Sequence, residues 1–393
     1  MKISPEVLAL NDEIVALRRD FHQHPELGNE EYQTAEKIAQ YLHQCGLDVK
    51  TGVNGTGVVG LLSAAEQGPT LMLRADMDAL PIHEECDVPY RSQVDGKMHA
   101  CGHDGHMAML LAAAKILSRS RDNLRGNIKF VFQPNEENGG ALAMIEDGVL
   151  EDPQVDAGLG IHLWSPIQTG KISANAGPVM AGMYYFEMTI TGRGGHTATP
   201  QSAVDPILTA ADVVQTLQII QTREIDVLTP VSIVFGTIEG GTAWNIIPAT
   251  VKLSGTMRFL AEDSNDDTEK LPDRFERIVA AVCRSHRVEY DLSLHFGHPA
   301  LVNDTGMIAR VRSAAQQVLD SPQDIVSFVS MAGEDFAEFA DRVPSAFFFV
   351  GTGNAAKGTC FPHHHPQFNI DEDALKIGVE MYIRTVHKYL SLA

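Results

Sequence analysis

Residues 98–106 read MHACGHDGH, and from His106 the chain runs on as HMAMLLAAAKIL. Cys101 and His103 stand one residue apart, so a thiolate and an imidazole can converge on one ion from a tight turn. These are borderline-soft ligands suited to zinc and its first-row neighbours. Gly102 and Gly105 let the backbone fold closely around such an ion. The apolar run that follows predicts a helix over about 104–118. A His-rich loop with Cys101 as a buried thiol is the plainer alternative on this stretch alone. What weighs against it is the placement of other candidate ligands at the ends of strands.

Upstream, GVVGLLS (57–63) and TLMLRADMDALP (70–81) read as strands, and the second turns polar abruptly. Asp76 and Asp78 then fall at its carboxyl end or just beyond. Downstream, NIKFVFQP (127–134) delivers Glu136 and Glu137, a helix follows at 141–147, and AGLGIHLW (157–164) ends on His162. Alternating strands and helices predict an α/β domain with a mixed, largely parallel sheet and helices on both faces. In such sheets the active crevice lies outside the carboxyl ends of the strands. Alone, Glu136-Glu137 reads as a solvated turn and His162 as a packed histidine; their shared placement argues for a site. At the chain's start, Val7, Leu10, Ile14, Leu17 and Phe21 predict one amphipathic helix over 5–23, and a second runs from near Asn29 to Gly46.

The pattern changes between 181 and 297. A strand in YYFEMTITGRG is followed by a helix near 204–222, strands at 231–239 and 249–259, a helix near 270–285 and the strand VEYDLSLHF. The order βαββαβ is that of a ferredoxin-like α+β domain. It predicts an inserted lid or dimerisation domain at 181–297 between two parts of a catalytic domain, 1–180 and 298–393. The polar stretch 261–270 reads as a surface loop. The α/β pattern then resumes with a helix at 305–319, the strand AFFFVGTG, the histidine triplet of FPHHHP (361–366) and a closing helix from Asp371.

Composition narrows the partners. The chain has 393 residues with 51 acidic side chains against 30 Lys and Arg, a formal net charge of -21. That surface repels phosphate backbones and anionic membranes, so nucleic acid and membranes are not expected partners. The 5 cysteines are odd in number and without paired spacing, which fits a reducing compartment. With no signal-like start and no long apolar run, the expected location is cytoplasmic. Gly55-Thr56-Gly57-Val58-Val59-Gly60 matches a dinucleotide-binding string, but a strand follows where that motif needs a helix.

FHQHPELGNEE, LRADMDALP, MHACGHDGHMAML, FVFQPNEENGGA, GIHLW, GRGGHTATP, GGTAWNIIP, GTMRF, MAGEDFAEF and HHHPQFNIDE together cover nearly the whole chain. In them the chain resembles the dinuclear metallopeptidase superfamily of aminoacylases and carboxypeptidase-type exopeptidases. More narrowly it resembles the amidohydrolase branch of hippurate hydrolases, auxin–amino-acid conjugate hydrolases and N-acetyl-amino-acid deacetylases. The resemblance implies two divalent ions per subunit (Zn, Mn, Co or Ni) held by Cys101, His103, Glu137, His162 and His364. Spacing to Pro366 and Phe368 matches His364 rather than His363 or His365 to the last ligand. The resemblance further implies Glu136 as general base and Asp78 as its supporting acid. It makes His196 an oxyanion donor that reaches the dimer partner's site, and Asn245 and Arg258 binders of the substrate carboxylate. The implied activity is hydrolysis of N-acyl-amino acids, N-acetyl or N-benzoyl, by a homodimer. A dipeptidase or carboxypeptidase with the same site, or a metal-binding homologue without catalysis, are the rivals.

Overall fold

The computed structural model describes residues 1–260 and 269–391. The loop expected at 261–270 falls, but for its last two residues, outside the described residues. The chain divides into two compact units: Met1–Val179 with Leu301–Val329 and Glu334–Ala393, and Met180–Ala300 with Ser330–Gly333.

The larger unit opens with α1 (Pro5–Ala9), α2 (Asn11–Gln23) and α3 (Tyr32–Gln44). The single helix expected over 5–23 is therefore two. Leu10 closes the first by donating its N–H to the Val7 carbonyl (3.1 Å). Asp12 and Glu13 then supply an acidic first turn to the second, which suits the positive end of its dipole. Next come β1 (Asp48–Val53), β2 (Gly57–Ser63), β3 (Glu66–Asp76), α4 (His103–Arg119), β4 (Arg125–Gln133), α5 (Gly140–Glu146), β5 (Ala157–Gln168), β6 (Ile172–Ser173) and β7 (Gly177–Met180). The helix α4 is apolar around most of its circumference, with Met107 to Ala114 all buried. Such a helix belongs in a core rather than on a surface.

The smaller unit carries β8 (Gly182–Thr191), β9 (Gly195–His196), α6 (Pro206–Ile219), β10 (Val231–Gly240), β11 (Ile246–Ile247), β12 (Thr250–Phe259), α7 (Leu271–His286) and β13 (Glu289–His298). The larger unit resumes with β14 (Leu301–Asn303), α8 (Thr305–Val318), β15 (Ile325–Val326), α9 (Ala337–Ala340), β16 (Ser345–Gly353) and α10 (Asp373–Leu390).

The large sheet has the order β1-β2-β4-β3-β5-β16-β6-β15. Its centre, β4-β3-β5-β16, is parallel, while β1–β2, β2–β4 and β16–β6 are antiparallel. This is the mixed, largely parallel sheet the sequence predicts. β1 escapes sequence reading because DVKTGV is mostly exposed and shows no apolar run. The central strands bury both faces, as Leu71–Ala75 and Ala346–Val350 show.

In the smaller unit four antiparallel strands take the order β10-β12-β8-β13, as a ferredoxin-like βαββαβ chain should. Phe186, Met188, Ile190, Val251 and Leu253 on the sheet pack with Val213 and Leu217 of α6 and Phe275, Ile278 and Val279 of α7. Residues 330–333 join this unit because Ala181 donates its N–H to the Ala332 carbonyl (3.0 Å). Among the described residues no helix is long and apolar enough to cross a membrane.

Candidate metal centre

Four chain segments meet at the carboxyl edge of the parallel strands. β3 ends on Asp76, and Asp78 follows two residues later. β4 ends at Gln133, and Glu136–Asn138 form a single tight turn between Asn135 and Gly139, both at positive φ (56° and 88°). Cys101 and His103 enter α4 through Gly102, whose φ of 91° suits glycine. Gly105 is needed for a second reason: a Cβ there would lie 2.4 Å from the Leu163 Cδ1 atom. His162 sits in mid-strand rather than at the expected strand end, because β5 runs on to Gln168. Its pairing with β3, however, stops at Arg74↔Gly160, so His162 lies just past the point where that edge of β5 opens.

The structure brings together every residue of the larger unit that the sequence nominates. Cys101 Sγ lies 3.6 Å from His162 Nε2. His103 Nε2 is 3.9 Å from Glu136 Oε2, and Glu137 Oε1 is 3.2 Å from His364 Nε2. Candidate ligand atoms of Cys101, His103 and His162 lie within 4.8 Å of one another, as do those of Cys101, Glu137 and His364. Cys101 belongs to both groups. The three histidines of the triplet differ in their surroundings. His363 Nε2 donates to the Leu163 carbonyl (3.0 Å), and its ring stacks on Trp164 at 4.2 Å. His365 stacks on Phe361. His364, at φ 64°, is the one turned to Glu137.

The donor set suits ions. His103 Nδ1 donates to the Asp78 carbonyl (2.8 Å), and His162 Nδ1 donates to the Leu163 carbonyl (2.8 Å). Both imidazoles are therefore anchored through Nδ1 and turn Nε2 inward, the atom a ligand needs. His103 Nε2, Asp78 Oδ1 and Glu137 Oε1 are buried without a hydrogen bond. Of these, His103 Nε2 and Glu137 Oε1 belong to the grouped candidate ligands, and buried polar atoms left without a partner are costly unless a cation accepts them.

Electrostatics agree. Asp76, Glu334 and Asp335 ion-pair with one guanidinium, that of Arg74, and Glu136 lies within its field. Burial, then Glu334, Asp335 and Glu137, push the Glu136 carboxyl well up, against the pull of Arg74. Burial and the opposed fields of Arg74 and Glu334 leave Asp335 at about 7. The Cys101 thiol is raised by burial and by Glu137 and Glu136. Burial disfavours charge on His103, yet Asp76, Asp78 and Glu137 carry it up to about 10. The protein alone thus holds protons at Cys101 and His103 that divalent ions would displace.

Arg74, Glu334, Asp335 and His106 were not singled out by sequence reading. Arg74 is ion-paired to Asp76 (2.7 Å), Glu334 (3.0 Å) and Asp335 (3.0 Å). A signal existed: an arginine inside the apolar strand TLMLRAD must be buried with partners, and MAGEDF supplies adjacent acids. A second buried cluster joins Asp104 to Arg18 Nε (2.8 Å) and His22 Nδ1 (2.7 Å), tying α2 to the first turn of α4.

His196, Asn245 and Arg258 belong to the smaller unit. His196 is exposed and pairs with Ile246 in the β9–β11 ribbon. Thr197 donates its N–H to the Asn245 carbonyl (3.3 Å), so that ribbon brings His196 and Asn245 together. Arg258 stands near the other end of β12, half-buried, with Nη1 donating to the Met331 carbonyl (3.3 Å). Its pKa is lowered by burial alone.

The model of peptidase family M20/M25/M40 matches residues 72–388. Thermostable carboxypeptidase 1 of Saccharolobus solfataricus is 37% identical over 383 residues, 96% of this chain and 95% of that protein. N-acetyl-L-cysteine deacetylase of Bacillus subtilis is 37% identical over 367 residues, 93% of this chain and 85% of that protein. The crystal structure of the Bacillus subtilis YXEP protein, a dinuclear metal-binding peptidase, superposes with a TM-score of 0.84 at 31% identity, covering 96% and 98% of the two chains.

Proposed function

Since the chain belongs to peptidase family M20/M25/M40 and is a metal-dependent amidohydrolase of that family, we propose that it cleaves N-acyl-amino acids to a carboxylate and a free amino acid. The observation that carries this reading is a buried cysteine, Cys101, common to two groups of candidate ligands, with Glu136 and Glu137 adjacent at a strand end. Cys101, His103, Glu137, His162 and His364 would hold two divalent ions, Zn, Mn, Co or Ni. Such ions polarise an amide carbonyl and make water acidic enough to attack it at neutral pH.

The chain's own groups do the rest. Glu136 takes the proton of the attacking water and returns it to the leaving nitrogen. Asp78 steadies the site from two sides, its carbonyl holding His103 and its Oδ2 accepting the Glu137 N–H (3.0 Å). Arg258 holds the free carboxylate of the amino-acid half, a task that suits a planar guanidinium, and Asn245 of the partner subunit, kept beside His196 by the β9–β11 ribbon, completes that hold. His196 of the partner subunit donates to the oxyanion.

A panel of N-acetyl- and N-benzoyl-amino acids beside unblocked dipeptides tests the substrate class on metal-reconstituted protein. Release of acetate or benzoate is the expected result. Turnover of dipeptides alone favours the second reading, a carboxypeptidase or dipeptidase, which the similarity to carboxypeptidase 1 keeps in view.

The ligand set predicts that Cys101→Ala loses bound metal and activity together, since it removes the charged donor common to both groups. Loading wild-type protein should also release protons, because the raised Cys101 and Glu136 groups must ionise. Full metal occupancy and full activity in the variant, by elemental analysis and assay, would remove Cys101 from the ligand set.

The homodimer has a candidate surface in β10, an edge strand that leaves Val234 (53%) and Ile238 (59%) exposed. Open strand edges of this kind invite pairing with a second copy. Sedimentation should find a dimer for the wild type and a monomer for Val234→Lys combined with Ile238→Lys. A monomeric wild type at micromolar concentration would refute the assignment.

A further inference from the structure

Beyond its pairing with β3, the strand β5 stays paired with β16 at Leu163 but has no strand on its other edge, where an imidazole takes that place. The Leu163 N–H donates to His106 Nε2 (2.9 Å), and His106 Nδ1 donates to Asp76 Oδ1 (2.6 Å). Asp76 Oδ2 in turn accepts from Arg74 Nη1 (2.7 Å). His106 thereby spans the gap between the last residue of β3 and the separating part of β5. It is fully buried, and both ring nitrogens are committed, so it has none left for an ion despite its closeness to Asp76 and His103.

What it holds is the residue whose carbonyl orients two other histidines. The Leu163 carbonyl accepts from His162 Nδ1 (2.8 Å) and from His363 Nε2 (3.0 Å). The first bond puts the His162 proton on Nδ1 and leaves Nε2 facing Cys101. The second parks His363 against Trp164 and so leaves His364 to face Glu137.

We propose that His106 is a positioning residue: by bridging Asp76 to the Leu163 N–H, it fixes the Leu163 carbonyl that sets the tautomer and direction of His162. The proposal rests on the reading of His162 as a metal ligand. Partners that orient a ligating histidine typically change metal affinity 10–100-fold when removed. His106→Leu, which keeps the bulk and loses both hydrogen bonds, is expected to weaken zinc binding by about that factor. His106→Gln can accept from Leu163 and donate to Asp76, and should recover most of the loss.

The test is a chelator-competition titration of metal-free protein with Zn²⁺, run on wild type, His106→Leu, His106→Gln and His162→Ala. Nitrogen-15 NMR of the histidine rings accompanies it. The expected result is weakened zinc binding in His106→Leu and His162→Ala, near-normal binding in His106→Gln, and loss of the pure Nδ1-protonated form of His162 in His106→Leu. Unchanged affinity and unchanged His162 tautomer in His106→Leu, with His162→Ala impaired, would overturn the proposal and leave the ligand set standing. Unchanged affinity in His162→Ala would overturn the ligand reading itself, and the proposal with it. Should His106→Leu not fold, the wild-type spectrum still decides: His106 must itself carry its proton on Nδ1, and a proton on Nε2 refutes the bridge.

Discussion

Glu136→Gln is expected to keep its metal and lower kcat by ~10²–10⁴, the usual worth of a positioned general base. The amide has the shape of the carboxylate but cannot take a proton from water. Glu136 Oε2 lies 3.9 Å from His103 Nε2, at the edge of the donor cluster rather than inside the Cys101 groups. Its neighbour Glu137 shares the approach to His103 but also reaches Cys101 and His364, which Glu136 does not. Glu137→Gln should therefore lose metal before it loses rate, and the two variants separate the roles. Near-normal kcat in Glu136→Gln, with metal content unchanged by elemental analysis, would move the proton transfer to another group.

The contrast between these neighbours also marks what sequence can and cannot convey. The strand ends were legible because NIKFVFQP and TLMLRAD switch from apolar to polar within one or two residues. That switch places Asp76, Asp78, Glu136 and Glu137 without any knowledge of their directions. The ferredoxin-like unit was legible for the same reason, since alternation in β8 and β12 follows the burial of one sheet face. The break at Leu10 was not legible, because two short helices share one apolar period. Nor was the extension of β5 beyond His162. The residues Ser165 to Gln168 carry no strand pattern of their own and are held by pairing with β16. The supporting network fared worst. Nothing in the sequence sets His106 apart, and only the positions of Asp76 and the Leu163 N–H show what its ring holds. Long-range partners of this kind leave no local signature. The arginine in a buried strand was the one clue that such a network must exist.

His196→Ala is expected to lower kcat by about 10²–10³, the scale of losing one oxyanion donor, with bound metal unchanged. The local geometry prepares that role. Ala198 donates its N–H to His196 Nδ1 (3.0 Å), so the neutral ring carries its proton on Nε2, the atom pointing away from its own backbone. The β9–β11 ribbon holds the residue in place through the Ile246↔His196 and Ile247↔Gly195 pairs. A Cβ on Gly195 would come within 3.0 Å of the Ala203 Cβ atom, so the ribbon lies close on the chain behind it. An exposed donor with a defined tautomer on a braced ribbon is suited to reach outward, in this proposal into a second subunit. Mixing His196→Ala with Glu136→Gln distinguishes the two placements. If the histidine serves the partner, a heterodimer contains one site with both wild-type residues, and activity partly returns. If it serves its own subunit, each site of the heterodimer still lacks one group, and nothing returns even when the subunits demonstrably exchange. Recovery in the exchanged mixture, with neither homodimer active, would therefore place His196 across the interface.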